Sequence, residues 1–186
     1  MSHVDLKSAI AHAKLGGVEV SSRMFKVGIL LVLTLATAAS SFGQTVKGSE
    51  PSADTLIVLQ RGACEQRCAV YRVAIFADGT VIYEGRHFVR QSGLIKSVIP
   101  VEVLNNLTHD FEAAGFFQLE DNYGYANKEH CESIDAGEPT AILTFSNHGR
   151  SKTIVHNHGC IGRATKQLTE LEDKVDHAVG TVKWIK

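Results

Sequence analysis

Four cysteines and a histidine-rich run are the residues of this chain best equipped for chemistry. Cys64 and Cys68 form a Cys-x-x-x-Cys pair, Cys131 follows His130, and Cys160 closes the run His156-Asn157-His158-Gly159-Cys160. Thiols can bridge, exchange electrons or ligate a metal, and imidazoles can ligate or move protons. On a strand, His156 and His158 share one face by the period of two, the spacing that lets two imidazoles reach one zinc or copper ion. His130 could join them, with Glu132 or Asp135 adding oxygen ligands. The competing reading packs one histidine against the sheet, leaves the other solvated and bridges the cysteines.

Three disulfide pairings are open to four cysteines. We prefer Cys64 with Cys68, a local staple, and Cys131 with Cys160, which would tie a long acidic segment to the histidine run. Chain entropy assigns roughly 2 kcal/mol to the short loop and about 3.5 kcal/mol to the long one. A thiol-redox role for Cys64 and Cys68 is weakened by their three intervening residues, where redox motifs have two. Tyr123 and Tyr125 flank Gly124 and read either as contacts for a partner or as packing residues that fix their loop. The acidic residues around them do not follow the spacing of a twelve-residue calcium loop. No G-x-S-x-G, H-E-x-x-H or phosphate-cradling glycine loop occurs, so no catalytic residue is assigned and the chain leans away from an enzyme.

The N-terminal region sets the expected compartment. Arg23 and Lys26 precede an apolar run from Val27 to Ala36 and small residues from Thr37 to Gly43, the pattern of a secretory signal. The apolar run is shorter than the roughly 20 residues of a spanning helix, so no stable membrane span is expected after cleavage. We read 1–23 as a preface without fold information, 24–43 as the signal peptide, 44–53 as a linker and 54–186 as one domain, exported to a periplasmic or extracellular space. Four cysteines suit such a compartment. The formal charge is −1, and beyond residue 43 the chain carries 15 basic against 18 acidic residues, which gives no electrostatic case for nucleic acid.

The elements that must position these residues follow from periodicity. Thr55 to Arg61 reads as a strand, and Ala69 to Arg86 as a hairpin turning at Asp78-Gly79. A three-residue loop, Ala77-Asp78-Gly79 with Gly79 left-handed, sets Arg72 opposite Glu84 and Val73 opposite Tyr83. It gathers Tyr71, Val73, Ile75, Val81 and Tyr83 on one apolar face. Gly93 to Ile99 reads as a fourth strand. Pro100 opens a helix in its first turn, carrying Leu104, Leu107, Phe111 and Ala114 inward until Gly115 stops it. Gln118 to Pro139 has no sustained period. Thr140 to Ser146 and Ser151 to His156 form a second hairpin. A second helix buries Leu168, Leu171, Val175 and Ala178, supports itself through Glu170 and Lys174, and ends at Gly180, with Trp184 packing back. The expected fold is α+β, a largely antiparallel sheet of about five to six strands with two helices on one face, in the order β-β-β-β-α-β-β-α.

The run C-x-x-x-C-x-V-Y-x-V-x-I-x-x-D-G-T-V-x-Y-E-G from Cys64, the helix after Pro100 ending in Gly115-Phe116-Phe117, Pro139-Thr140, and the closing L-x-E-L-E-D-K-V-D with Gly180-Thr181 and Trp184 form a set. As a set they resemble a family of exported bacterial domains of unknown function, over about Asp54 to Ile185. The resemblance implies a small exported α+β domain and no assigned activity or cofactor. Ala69 stands where the family usually has Pro, and the pair Cys131 and Cys160 is an addition to the family pattern. The expected function is therefore a non-catalytic binding or envelope-associated module, its partner a protein or envelope component. The alternatives are a metal-binding protein or metalloenzyme built on His156, His158 and His130, and a thiol-redox protein built on Cys64 and Cys68.

Overall fold

The computed structural model describes residues 53–186. The preface, the signal pattern and all but the last residue of the linker lie outside the described residues.

Seven strands form the main sheet: β1 (Leu56–Arg61), β2 (Val70–Phe76), β3 (Thr80–His87), β4 (Gly93–Val98), β5 (Asn122–Tyr123), β7 (Thr140–Asn147) and β8 (Arg150–Asn157). Their order is β4-β3-β2-β1-β7-β8-β5, and a second sheet pairs β6 (Ser133–Ile134) with β9 (Cys160–Ile161). Only β5 runs parallel to its neighbour, β8. The chain is thus α+β with more strands than the five to six expected. The three additional strands, β5, β6 and β9, have two residues each, and both of their pairings involve the aperiodic segment from Gln118 to Pro139. A pairing that short carries no readable alternation.

The first hairpin turns through Ala77-Asp78-Gly79, with Arg72 opposite Glu84 and Val73 opposite Tyr83. Gly79 has φ +76°, and its N–H donates to the Phe76 carbonyl at 2.9 Å. The carboxylate of Asp78 accepts from the backbone and hydroxyl of Thr80, which holds Asp78 below its usual value.

Alternation then sends one set of side chains to a common face: Ile57 and Leu59 from β1, Tyr71, Val73 and Ile75 from β2, Val81 and Tyr83 from β3, Leu143 and Phe145 from β7, Ile154 from β8. These join Leu104, Leu107 and Phe111 of α1 (Val101–Ala113) and Leu168, Leu171, Val175 and Val179 of α2 (Arg163–Val179) in one core. Trp184, on the short α3 (Val182–Ile185), is buried against Tyr83, ring centroids 4.6 Å apart.

Two local expectations are corrected. Pro100 is the N-cap of α1 rather than a first-turn residue: its ψ of 147° is extended, and its carbonyl accepts from Val103 and Leu104. Lys174 pairs with Asp110 of α1 at 2.7 Å, joining the two helices, instead of supporting its own helix through Glu170.

Candidate functional site

The site grows from one rung of the sheet. Pairing sets Tyr71 of β2 opposite Arg61 of β1, Arg61 opposite Ala141 of β7, and Ala141 opposite His156 of β8. All four lie on the core face, so a cation and an imidazole flank a bare methyl at the end of an otherwise apolar layer. His158 follows two residues after His156 on the same face. Above this rung runs α2, where Glu172 and Asp176 are four residues apart and therefore on one side of the helix.

Glu172 is wholly buried and receives three polar contacts. His156 Nδ1 lies 2.8 Å from Oε1, His158 Nε2 lies 2.8 Å from Oε2, and Arg61 Nη1 donates to Oε2 at 2.6 Å. The carboxylate can only accept, so the protons belong on His156 Nδ1 and His158 Nε2. Arg61 Nη1 also lies 3.1 Å from His158 Nε2, but a guanidinium cannot accept, and the shared acceptor for both groups is Oε2. The two imidazoles stack, centroids 4.6 Å apart and planes 21° from parallel.

Charge balance holds the cluster. Burial alone would push the Glu172 carboxyl up; hydrogen bonds from His156 and His158 and the charge of Arg61 overcome it and bring the value down to about 2. Burial works against the charge of Arg61 too, and Asp176 and Glu172 outweigh it, keeping the guanidinium above its usual range. Asp176 accepts from Arg61 at 2.8 Å, from Tyr71 Oη at 2.7 Å and from Thr181 Oγ1 at 3.0 Å. The Tyr71 hydroxyl is raised, first by burial and then by the neighbouring Asp176 carboxylate.

Beside the histidines opens a cavity of about 530 Å³, lined by His156, His158, Cys160, Glu132 and the first two turns of α2 from Gly162 to Thr169. Its far wall is stapled. Cys131 and Cys160 are bonded, Cα atoms 5.1 Å apart, and Glu132 and Asp135 donate backbone hydrogen bonds to Ile161 and Gly159. Cys64 and Cys68 form the other bridge, and no cysteine is free.

Of the residues singled out in the sequence, the structure brings His156 and His158 together and leaves His130 apart. His130 is exposed on the 3-10 segment Tyr125–His130, its ring 6.0 Å from Tyr123. Among the described residues the one grouping of metal-ligating atoms is His156, His158 and Glu172, all within 4.8 Å of one another. Glu132 lies on the cavity wall but outside that group, and Asp135 belongs to neither. Tyr123 is buried with its hydroxyl accepting from the Glu120 N–H, which fixes the loop; Tyr125 is exposed and donates to the Asp135 carbonyl.

Sequence reading missed Glu172, Arg61, Tyr71 as a polar partner, and Asp176. A signal for Glu172 existed: it falls at the fourth place after Leu168, inside the stripe Leu168, Leu171, Val175 and Val179, where a surface acid does not belong.

No helix of the described residues is long and apolar enough to cross a membrane. A search of curated proteins finds no match. One family model does match, over residues 55–179, from β1 to the end of α2 and so including every residue of the polar cluster except Thr181. The chain belongs to the family described as Domain of unknown function (DUF6438).

Proposed function

We propose that this is an exported, disulfide-stapled binding module whose ligand occupies the cavity between the histidine pair and the start of α2. The observation that carries the reading is the cluster in which buried Glu172 and half-buried Arg61 back the histidine pair, His156 buried and His158 half-buried, that lines the cavity. Buried charge is costly, and ionisable groups perturbed by burial and specific partners beside a cavity concentrate at functional sites. A second hollow of about 370 Å³ lies between α1 and α2, lined by Val103, Leu107 and Ala178 with the Asp110–Lys174 pair, and it holds no buried ionisable group. The two bridges and the signal pattern favour an oxidising, exported setting. Catalysis is not part of the reading, because every acid of the cluster is already held by a cation or a hydroxyl.

Native mass spectrometry of the chain isolated from its own host without refolding tests this. A bound mass released on denaturation, and missing from the cavity-filling variant Thr169→Trp, is the expected result. An equal mass on both proteins would place the ligand elsewhere and defeat the reading.

Metal binding is the second reading, favoured by the proximity of the His156, His158 and Glu172 ligand atoms. Two features weigh against it. Arg61 places positive charge 2.6 Å from the carboxylate an ion would need, and the near-parallel rings do not converge on one point as ligands of a shared ion do. Near-stoichiometric zinc or copper, lost in His156→Ala, would reverse this ranking.

A further inference from the structure

We propose that the cavity recognises an oxyanion that carries or adjoins its own O–H donor, such as hydrogen phosphate or the head of a hydroxy acid. The inference rests on the binding reading above and assigns the chemistry of the ligand.

Two independent observations meet at the cavity. The first is the start of α2. This helix has 17 residues, and its N-cap, Gly162, supplies no side-chain hydrogen bond. The first backbone N–H groups therefore lack the oxygen that usually caps them. The first turn holds no acid, and Arg163 and Lys166 stand there exposed, with no ion-pair partner among the described residues. Cations at a helix N-terminus oppose the helix dipole; an anion seated among them reverses the sign of that interaction.

The second observation is His156. Its side chain is 1% exposed and lines the cavity. Nδ1 is committed to Glu172, while Nε2 has no hydrogen-bond partner among the described residues. Nε2 is nonetheless not a sealed orphan, since among the described residues only Tyr83 Oη is a buried side-chain atom without a partner. It therefore opens on the cavity. With the proton on Nδ1, Nε2 of the neutral ring is an acceptor. The site thus offers N–H donors and two cations from α2, and a buried acceptor from β8. A bare anion satisfies the first set and leaves Nε2 facing a like lone pair. Hydrogen phosphate satisfies both, its charged oxygens on α2 and its hydroxyl donating to Nε2. Glu132, whose N–H donates to the Ile161 carbonyl beside the start of α2, also lines the cavity and adds a second acceptor for a ligand that carries a proton.

The test is a titration of the isotopically labelled, oxidised chain with sodium phosphate and, separately, sodium sulfate at neutral pH, read by amide and imidazole chemical shifts. Hydrogen phosphate keeps a proton at this pH and sulfate has none. The expected result is saturable shifts at Gly162 to Lys166 and in the His156 ring, with phosphate bound about tenfold more tightly than sulfate, the worth of one hydrogen bond to a buried acceptor. Lys166→Ala, a change at an exposed position that leaves the fold in place, should weaken phosphate several-fold without moving the Nδ1–H resonance of His156. Equal affinity for the two anions, or shifts centred away from α2, overturns the inference. Should that happen while the mass lost in Thr169→Trp persists, the cavity is still the binding site and only the ligand chemistry is wrong.

Discussion

Glu172 and Arg61, 111 residues apart in the chain, meet at 2.6 Å with the carboxylate wholly buried and the arginine half-buried. Around this pair the end of β1, the end of β8 and the middle of α2 are held in one arrangement. The geometry of the histidines depends on it.

Removing the carboxylate should therefore cost far more than a surface acid does. Glu172→Ala leaves Arg61 without one of its two principal partners and two imidazoles without an acceptor, and a loss of about 3 kcal/mol or more is expected in urea unfolding. Asp173→Ala, whose carboxylate is 70% exposed and also touches Arg61, should change stability by less than about 1 kcal/mol. Similar losses from the two variants would deny the buried cluster its role.

Stability should fall with acid in a window set by the same residue. The ordinary carboxyl value of 4.5 applies to the unfolded chain and about 2 to the folded one. The ionised carboxylate thus stabilises the fold fully above pH 4.5, and its contribution disappears as pH drops toward 2. The stability at stake is on the order of 3 kcal/mol. Comparing urea midpoints of the native chain and Glu172→Gln across this range should show a steeper fall in the native chain; parallel curves would assign the acid sensitivity to other groups.

The two bridges should differ in their effect. Replacing Cys131 and Cys160 by Ala opens a loop of sequence separation 29 and should cost about 3.5 kcal/mol, against roughly 2 kcal/mol for Cys64 and Cys68, separated by 4. Only the first pair should also raise hydrogen exchange at Glu132 and Asp135, whose N–H groups bond to Ile161 and Gly159.

Gly159 tolerates no side chain. A Cβ there would lie 2.0 Å from the Asp135 carbonyl oxygen, on the backbone that joins β9 to β6. Gly159→Ala should separate the two strands, lower the melting temperature by several degrees and speed exchange at the Asp135 amide. An unchanged melting temperature would mean that the small sheet gives way at no cost.

What the sequence made legible was whatever a period or a turn residue encodes. Asp78-Gly79 fixed the first hairpin and its register, and the stripe Leu168, Leu171 and Val175 fixed the buried face of α2, which closes on Val179 while the expected Ala178 is only half-buried. The histidine pair could be placed on one strand face for the same reason. Its partners could not: Arg61 and Asp176 read locally as surface charges, Glu172 stands out only as an acid inside an apolar stripe, and the strand order, with Ala141 between Arg61 and His156, brings them together. The short strands β5, β6 and β9 were invisible because their pairings depend on distant backbone and on the second disulfide.

The decisive property of the cluster is where the imidazole protons lie, which long-range proton–nitrogen correlation of the labelled chain reads without any ligand. A proton is expected on His156 Nδ1 and on His158 Nε2, each facing Glu172, with spectra unchanged by a strong chelator. Unprotonated nitrogens facing Glu172 that gain their protons only when the chelator is added would contradict this placement, and would identify the cluster as a metal centre.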